Sequence, residues 1–261
     1  MPRIVAGVEY FGASYHGWQH QKHSDQTIQE QVEKALSIVA DKFVRVVCAG
    51  RTDAGVHAAE QVVHFDIDVE RTNRAWVYGA NSNLPKDICI LWAKQISDDF
   101  HARFSAVRRR YCYIIFNRDI RPTYNAHRTT WCHQTLDENL MAEAAKYLIG
   151  SHDFSSYRAV ACQAKSPVRE IFHLNVRRQG AYIFIDIEAN AFLHHMVRNI
   201  AGVLIDIGSG KRKPIWAKEV LEFRDRSLGG VTAQPYGLYL MNISYLQKYE
   251  LPKLSPSLPI W

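Results

Sequence analysis

The chain has 261 residues, 47% of them hydrophobic, enough for one large domain or two fused ones of ordinary size. Thirty-two Lys and Arg against 26 Asp and Glu leave a net charge of +6, which favours a polyanionic partner such as nucleic acid or a phosphorylated ligand. No run reaches the roughly 18 consecutive apolar residues of a membrane span, and Met1 to Gly12 carries Arg3 and Glu9 instead of a signal-peptide centre, so a soluble cytoplasmic protein is expected.

In chain order, Arg3 to Tyr10 alternates as a strand does, and Thr27-Ile28-Gln29-Glu30 has the spacing of a capping box opening a helix that runs to about Ala40. Val44 to Ala49, Gln61 to Ile67 and Ile88 to Gln95 read as strands, with a helix between Thr72 and Asn83. Beyond Phe104 come a strand over Arg110 to Asn117, a helix over Leu136 to Ile149, and strands over Phe172 to Arg177 and Tyr182 to Ala189 joined at Arg178-Gln179-Gly180. A helix from Leu193 to Ile207 stops at Gly208-Ser209-Gly210, and a last strand covers Leu238 to Tyr245. Hairpin-like returns favour an α+β fold: two similar halves with antiparallel sheets, helices on one face and a shared cleft. The expected boundaries are 1–103, 104–250 and a Pro-containing tail, 251–261. Five widely spaced cysteines without a C-x-x-C argue against both a disulfide framework and a thiolate zinc site.

Two common signatures fail. Gly210-Lys211 lacks the earlier glycine of a phosphate loop and is followed by Arg212, and neither H-E-x-x-H nor the zinc deaminase pattern occurs. His194 and His195, with His101, are poor metal ligands if the pair stands on a helix, where neighbouring side chains diverge by about 100°.

Three segments carry chemistry. Gly50-Arg51-Thr52-Asp53-Ala54-Gly55-Val56-His57 follows an apolar strand, and its glycines permit a tight loop presenting Asp53 at a strand end. An ordinary turn, with Asp53 bonded to nearby backbone and Arg51 in solvent, fits the local pattern as well. The stretch from His101 to Arg128 holds seven arginines against one acid, Asp119, with Arg108, Arg109 and Arg110 opening a strand as a phosphate-binding surface. Tyr111 and Tyr113 share one face of that strand, where a ring beside arginines is either a stacking platform for an unstacked base or a half-buried strand aromatic. On the helix from Leu193, positions 193, 196, 200, 203, 204 and 207 form an apolar stripe. Arg198 points away from it, as a solvated helix residue or as an ion-pair partner for Asp53, a role Arg51 could also fill.

The segment from Gly50 to His57 resembles the catalytic motif of the tRNA pseudouridine synthase A family. Tyr15-His16-Gly17-Trp18-Gln19, Phe100 to Tyr113, Asn190 to Gly202 and Gly237-Leu238-Tyr239-Leu240 match in the same order, so the resemblance spans nearly the whole chain. It implies two RNA-recognition-like halves whose sheets join into one, with a basic cleft between them. The implied activity is conversion of uridine to pseudouridine at tRNA positions 38, 39 and 40 in the anticodon stem-loop, by a homodimer that uses neither metal nor other cofactor. Asp53 would be the single catalytic carboxylate, Arg198 its ion-pair partner, Arg51 a contact to the flipped nucleotide, Tyr111 the ring against the target base and Leu238 an apolar wall of the uracil pocket. A non-catalytic RNA-binding or chaperone module would share the basic surface without needing Asp53. An RNA glycosylase or hydrolase would want a second carboxylate.

Overall fold

The computed structural model describes residues 1–21 and 26–254, and the chain divides into two compact units: Met1–Val107 with the chain from Tyr239 onward, and Arg108–Leu238. The first unit begins with β1 (Arg3–Tyr10), α1 (Ile28–Ala40), β2 (Val47–Cys48), β3 (His57–Asp66), α2 (Asn73–Asn81) and β4 (Ile88–Ile96). Then follow β5 (Ala106–Asn117), β6 (Thr130–Cys132), α3 (Glu138–Lys146), β7 (Gly150–Asp153), β8 (Val168–Gln179), β9 (Tyr182–Ala189), α4 (Met196–Gly208) and α5 (Trp216–Phe223). The last strand, β10 (Leu238–Tyr245), belongs almost wholly to the first unit, so the sequence boundary at 250 differs from the structural one: the chain returns to its starting unit before it ends.

In the first unit the strand order is β4-β1-β3-β10, with β2 beside β3. The β1, β2, β3 and β4 pairings are antiparallel, whereas β10 joins β3 in parallel at Tyr239 opposite His57. In the second unit the order is β5-β9-β8-β7, antiparallel, with the short β6 parallel to β5. The α+β reading holds, with two parallel pairs that short-range turn signals do not reveal. The β8–β9 hairpin turns as expected, at Gly180 with φ +58.

Four local expectations are corrected. First, β1 does not alternate in burial; Ile4 to Val8 are all buried. Gly7 permits this, since a Cβ there would sit 2.3 Å from Nε1 of Trp92, whose indole lies across the strand. Second, α1 starts at Ile28 without a capping box: the Thr27 side chain makes no cap bond, and the Gly17 and Trp18 carbonyls accept the Ile28 and Gln29 N–H groups at 3.2 and 3.0 Å instead. Third, only Val47–Cys48 of the run from Val44 to Ala49 pairs as strand. Fourth, α4 begins at Met196, not Leu193, because His195 takes the left-handed conformation with φ +62. The two histidines therefore stand in the turn before the helix, their rings 4.0 Å apart, and do not diverge as helix neighbours would.

All five cysteines are unpaired thiols. Among the described residues no helix is long and apolar enough to cross a membrane. Of the tail, Pro256 and Pro259 lie outside the described residues.

Candidate active site

In the first unit, Asp53 occupies the loop from β2 to β3. That loop is clamped at both ends. Gln61 of β3 donates to the Gly50 carbonyl at 2.5 Å, and the Ala49 N–H donates to Val62 O at 2.8 Å. At the far end Val56 N–H donates back to Asp53 O at 3.2 Å, and Gly55 takes φ +79, the left-handed turn that its lack of a side chain permits. Between these ends Arg51 is exposed and Asp53 is half-buried.

The segment Tyr15 to Gln19 acts as the outer wall of the same loop. Trp18 N–H donates to Thr52 O at 3.0 Å and Gly55 N–H to Tyr15 O at 3.4 Å. Thr52 Oγ1 and the Tyr10 hydroxyl share a hydrogen bond of 2.7 Å. Gly17 has φ +89, and a Cβ on it would lie 2.8 Å from Thr52 O and 3.0 Å from Ala54 N. The two sequence motifs are thus halves of one device, a backbone clamp that fixes where the Asp53 carboxylate stands. Just beyond it His57 is buried, its ring stacked on Phe11 at 4.6 Å and its Nδ1 accepting the Gly12 N–H at 2.9 Å.

Glu60, the acid nearest to Asp53 along the chain, serves the interior. It is 2% exposed, with Oε1 accepting from Trp92 Nε1 at 2.9 Å and Oε2 from Asn242 Nδ2 at 3.1 Å. Burial raises its pKa above the usual carboxylate value, outweighing those two neutral donors.

In the second unit, Arg109, Tyr111 and Tyr113 point to one face of β5, and Arg108, Arg110 and Cys112 to the other. Tyr111 is 8% exposed, with Phe192 edge-on to its ring at 5.1 Å. Tyr113 is fully buried, its hydroxyl donating to Gln234 O at 2.8 Å. The three arginines are not an open cationic row. Arg108 pairs with Glu188 at 2.9 Å and lies over the Phe172 ring; Arg110 forks onto Asp186; Arg109 donates to Asn190 O at 2.9 Å. The acids come from β9, which pairs with β5, so their meeting was invisible in a stretch counted along one strand.

The apolar stripe of α4 is buried as its spacing implies: Leu193, Met196, Ile200, Val203, Leu204 and Ile207 all lie in the core. Arg198 is half-buried and donates through Nε to Ala233 O at 2.8 Å, while Ala233 N–H donates to Arg198 O at 3.1 Å. The segment after Ala233 runs on to β5: Gln234 O meets Tyr113, and Gly237 packs so closely on Ile114 O that a Cβ would stand 2.4 Å away. Leu238, 5% exposed, follows directly. One short segment, Ala233–Leu238, therefore connects Arg198 to the strand that bears Tyr111. Sequence reasoning missed Asn199, which donates to Tyr157 O at 2.7 Å and accepts from Thr232 and Arg226 at 2.7 and 3.1 Å, fixing that segment from behind. Its only signal was a polar residue beside the apolar stripe.

The chain belongs to the tRNA pseudouridine synthase family, whose model it matches over residues 6–105 and 144–246. Proteins named tRNA pseudouridine synthase A are similar to it along nearly its full length. That of Pseudomonas aeruginosa is 57% identical over 96% of this chain and 88% of its own. Those of Alcanivorax borkumensis and Nitrosococcus oceani are 54% and 55% identical, over 100% and 99% of this chain and 97% and 100% of theirs.

Proposed function

We propose that the protein isomerises uridine to pseudouridine at tRNA positions 38, 39 and 40 of the anticodon stem-loop, as a cytoplasmic homodimer, with Asp53 as its single catalytic carboxylate. Family membership supports the reaction class and the tRNA substrate. The clamp around Asp53 is the observation that carries the choice of residue: backbone bonds from Trp18 and Gly55 fix the loop, so the carboxylate is positioned before substrate arrives.

The reaction breaks the N1–C1′ bond, turns the uracil and joins C5 to C1′, with no net change in redox state and no outside reagent. The carboxylate attacks C1′, removes a sugar proton to give a glycal, or adds to C6 of the base; each route uses one ionised acid. A glycosidase needs two acids of unlike pKa, and Glu60, the neighbour in sequence, is taken up by Trp92 and Asn242. Arg198 is the ion-pair partner of Asp53, and Arg51 holds the backbone of the extruded nucleotide. Tyr111 stacks on the base and Leu238 keeps water out, which protects the intermediate from hydrolysis. Stacking returns about 1–3 kcal/mol of the few kcal/mol spent in extrusion.

Because Arg108 and Arg110 each have a carboxylate partner, they hold RNA by exchanging partners, so the phosphate grip is shared with the rest of a chain of net charge +6. Unmodified tRNA incubated with the pure protein in chelator and mapped by carbodiimide-dependent primer extension should show stops at positions 38 to 40. Unaltered uridines, or activity only with added divalent ion, would overturn the proposal, and a monomer in sedimentation would remove its dimeric part.

A further inference from the structure

The turn from β4 to β5 holds a ring that its own unit leaves in water. Phe104 is 77% exposed, whereas Phe100 and Ala102 of the same turn are fully buried. The backbone beneath it is tied down. His101 Nδ1 accepts the Arg103 and Phe104 N–H groups at 3.1 and 3.3 Å, and Ser105 Oγ accepts the His101 N–H at 3.0 Å. Ala102 N–H donates to His64 Nδ1 of β3 at 3.1 Å, and Ala102 O accepts the Tyr245 hydroxyl at 2.7 Å. The His101 ring backs Phe104 with centroids 4.3 Å apart and planes 33° from parallel, and the Arg103 guanidinium stands 5.6 Å from the Phe104 centroid.

An exposed phenylalanine on a loose loop folds its ring inward; this one is held outward by its backbone, which leaves apolar surface in water unless something covers it. A ring already fixed in position loses little freedom when a flat partner lands on it. Charge selects that partner. The Arg103 guanidinium stands at the ring, and the turn sits beside β2, because His64, which holds Ala102, pairs with Val47. Burial pushes the Cys48 thiol up to about 12, and the positive charges of Arg51 and Arg103 both act against that rise. A guanidinium beside a fixed ring fits a nucleobase and its phosphate better than an apolar protein surface.

We infer that Phe104 is a stacking platform for an unpaired nucleobase of the tRNA substrate, other than the uridine on which Asp53 acts, with Arg103 against the adjoining phosphate. The inference rests on tRNA being the substrate. Phe104→Ala should weaken binding of unmodified tRNA by roughly five- to a hundredfold, the range found on removing one base-stacking ring. Phe104→Trp should restore it, and the single-turnover rate at saturating tRNA should stay within about twofold of wild type, because Phe104 touches no reacting atom.

Affinity is read by filter binding at fixed salt, for these variants in both the wild-type and the Asp53→Asn background. Unchanged affinity in Phe104→Ala overturns the inference, as does equal loss in Phe104→Ala and Phe104→Trp. A change in sedimentation of Phe104→Ala without tRNA identifies the ring as a contact between copies of the chain and also overturns it. Failure of the wild type to modify tRNA, with the Phe104→Ala affinity loss intact, would sink the assigned activity and leave the stacking platform standing.

Discussion

Arg198 and Ala233 are joined by two hydrogen bonds of opposite sense: the Arg198 side-chain Nε donates to the Ala233 carbonyl at 2.8 Å, and the Ala233 N–H donates to the Arg198 carbonyl at 3.1 Å. The first bond occupies one edge of the guanidinium and sets its plane, leaving the Nη edge to face elsewhere. A lysine cannot divide its duties in this way, since a single ammonium has no fork geometry. Arg198→Lys should therefore lose roughly a hundredfold or more in kcat, the scale seen when one preorganised charge-stabilising donor is removed. Melting temperature should change little. Activity within threefold of wild type would show that charge alone, not the fork held by Ala233, is what Arg198 supplies.

Two neighbouring carboxyls separate the reaction from the scaffold. Asp53→Asn should abolish pseudouridine formation while tRNA affinity persists, because the amide keeps the shape and removes the negative charge. Glu60→Gln should keep near-wild-type turnover, since Glu60 is buried against Trp92 and Asn242. Its raised pKa also means that ionisation works against the fold as pH rises past the ordinary carboxylate value. The amide removes that dependence on pH, at the cost of one of the two accepted hydrogen bonds, since its NH2 cannot accept from Trp92 or Asn242. Loss of turnover in a folded Glu60→Gln enzyme would argue for a second catalytic acid.

The clamp makes a glycine outside the Asp53 motif decisive for it. Gly17 combines φ +89 with a contact that would place a Cβ 2.8 Å from Thr52 O. Gly17→Ala must either push the Thr52–Ala54 backbone outward or change its own conformation. Displacements near 1 Å cost about a hundredfold in rate, and strain of this kind costs about 1–3 kcal/mol. The expected result is a large fall in kcat with a modest fall in thermal stability, read by single-turnover kinetics and calorimetry. A variant with full kcat would show that the Asp53 loop holds its place without the Tyr15–Gln19 wall.

What could be read from sequence followed from what is local. The stripe of α4 and the hairpin at Gly180 depend on periods and turn residues, and both match. Asp53, Tyr111 and Arg198 each had an ordinary local reading, and the resemblance of their segments to one family is what singled them out. What surrounds them did not stand out, since Trp18 meets Thr52 beside Asp53, Phe192 meets Tyr111 and Ala233 meets Arg198 only through folding. The same cause explains the arginines: Arg108 and Arg110 look uncompensated until β9 brings Glu188 and Asp186 beside them. The return of β10 to the first unit is likewise a matter of topology, and no residue near 238 announces it.

His64 gives the first unit an acid-sensitive joint. Its Nδ1 accepts the Ala102 N–H, which requires that nitrogen to be unprotonated. Burial drives its pKa down to about 4, with Arg3 and His101 adding to the effect. A depressed pKa means that the folded state resists the proton while the unfolded chain takes it up near pH 6.5. The stabilisation is complete above about pH 6.5 and is lost progressively as pH falls toward about 4. The melting temperature should decline through that window, and His64→Asn, whose side-chain carbonyl can accept the same N–H without titrating, should flatten the decline. If Phe104 acts through the turn that Ala102 anchors, tRNA affinity of the wild type should weaken over the same interval and that of His64→Asn should weaken less. Parallel pH profiles for the two proteins would show that His64 does not control the turn.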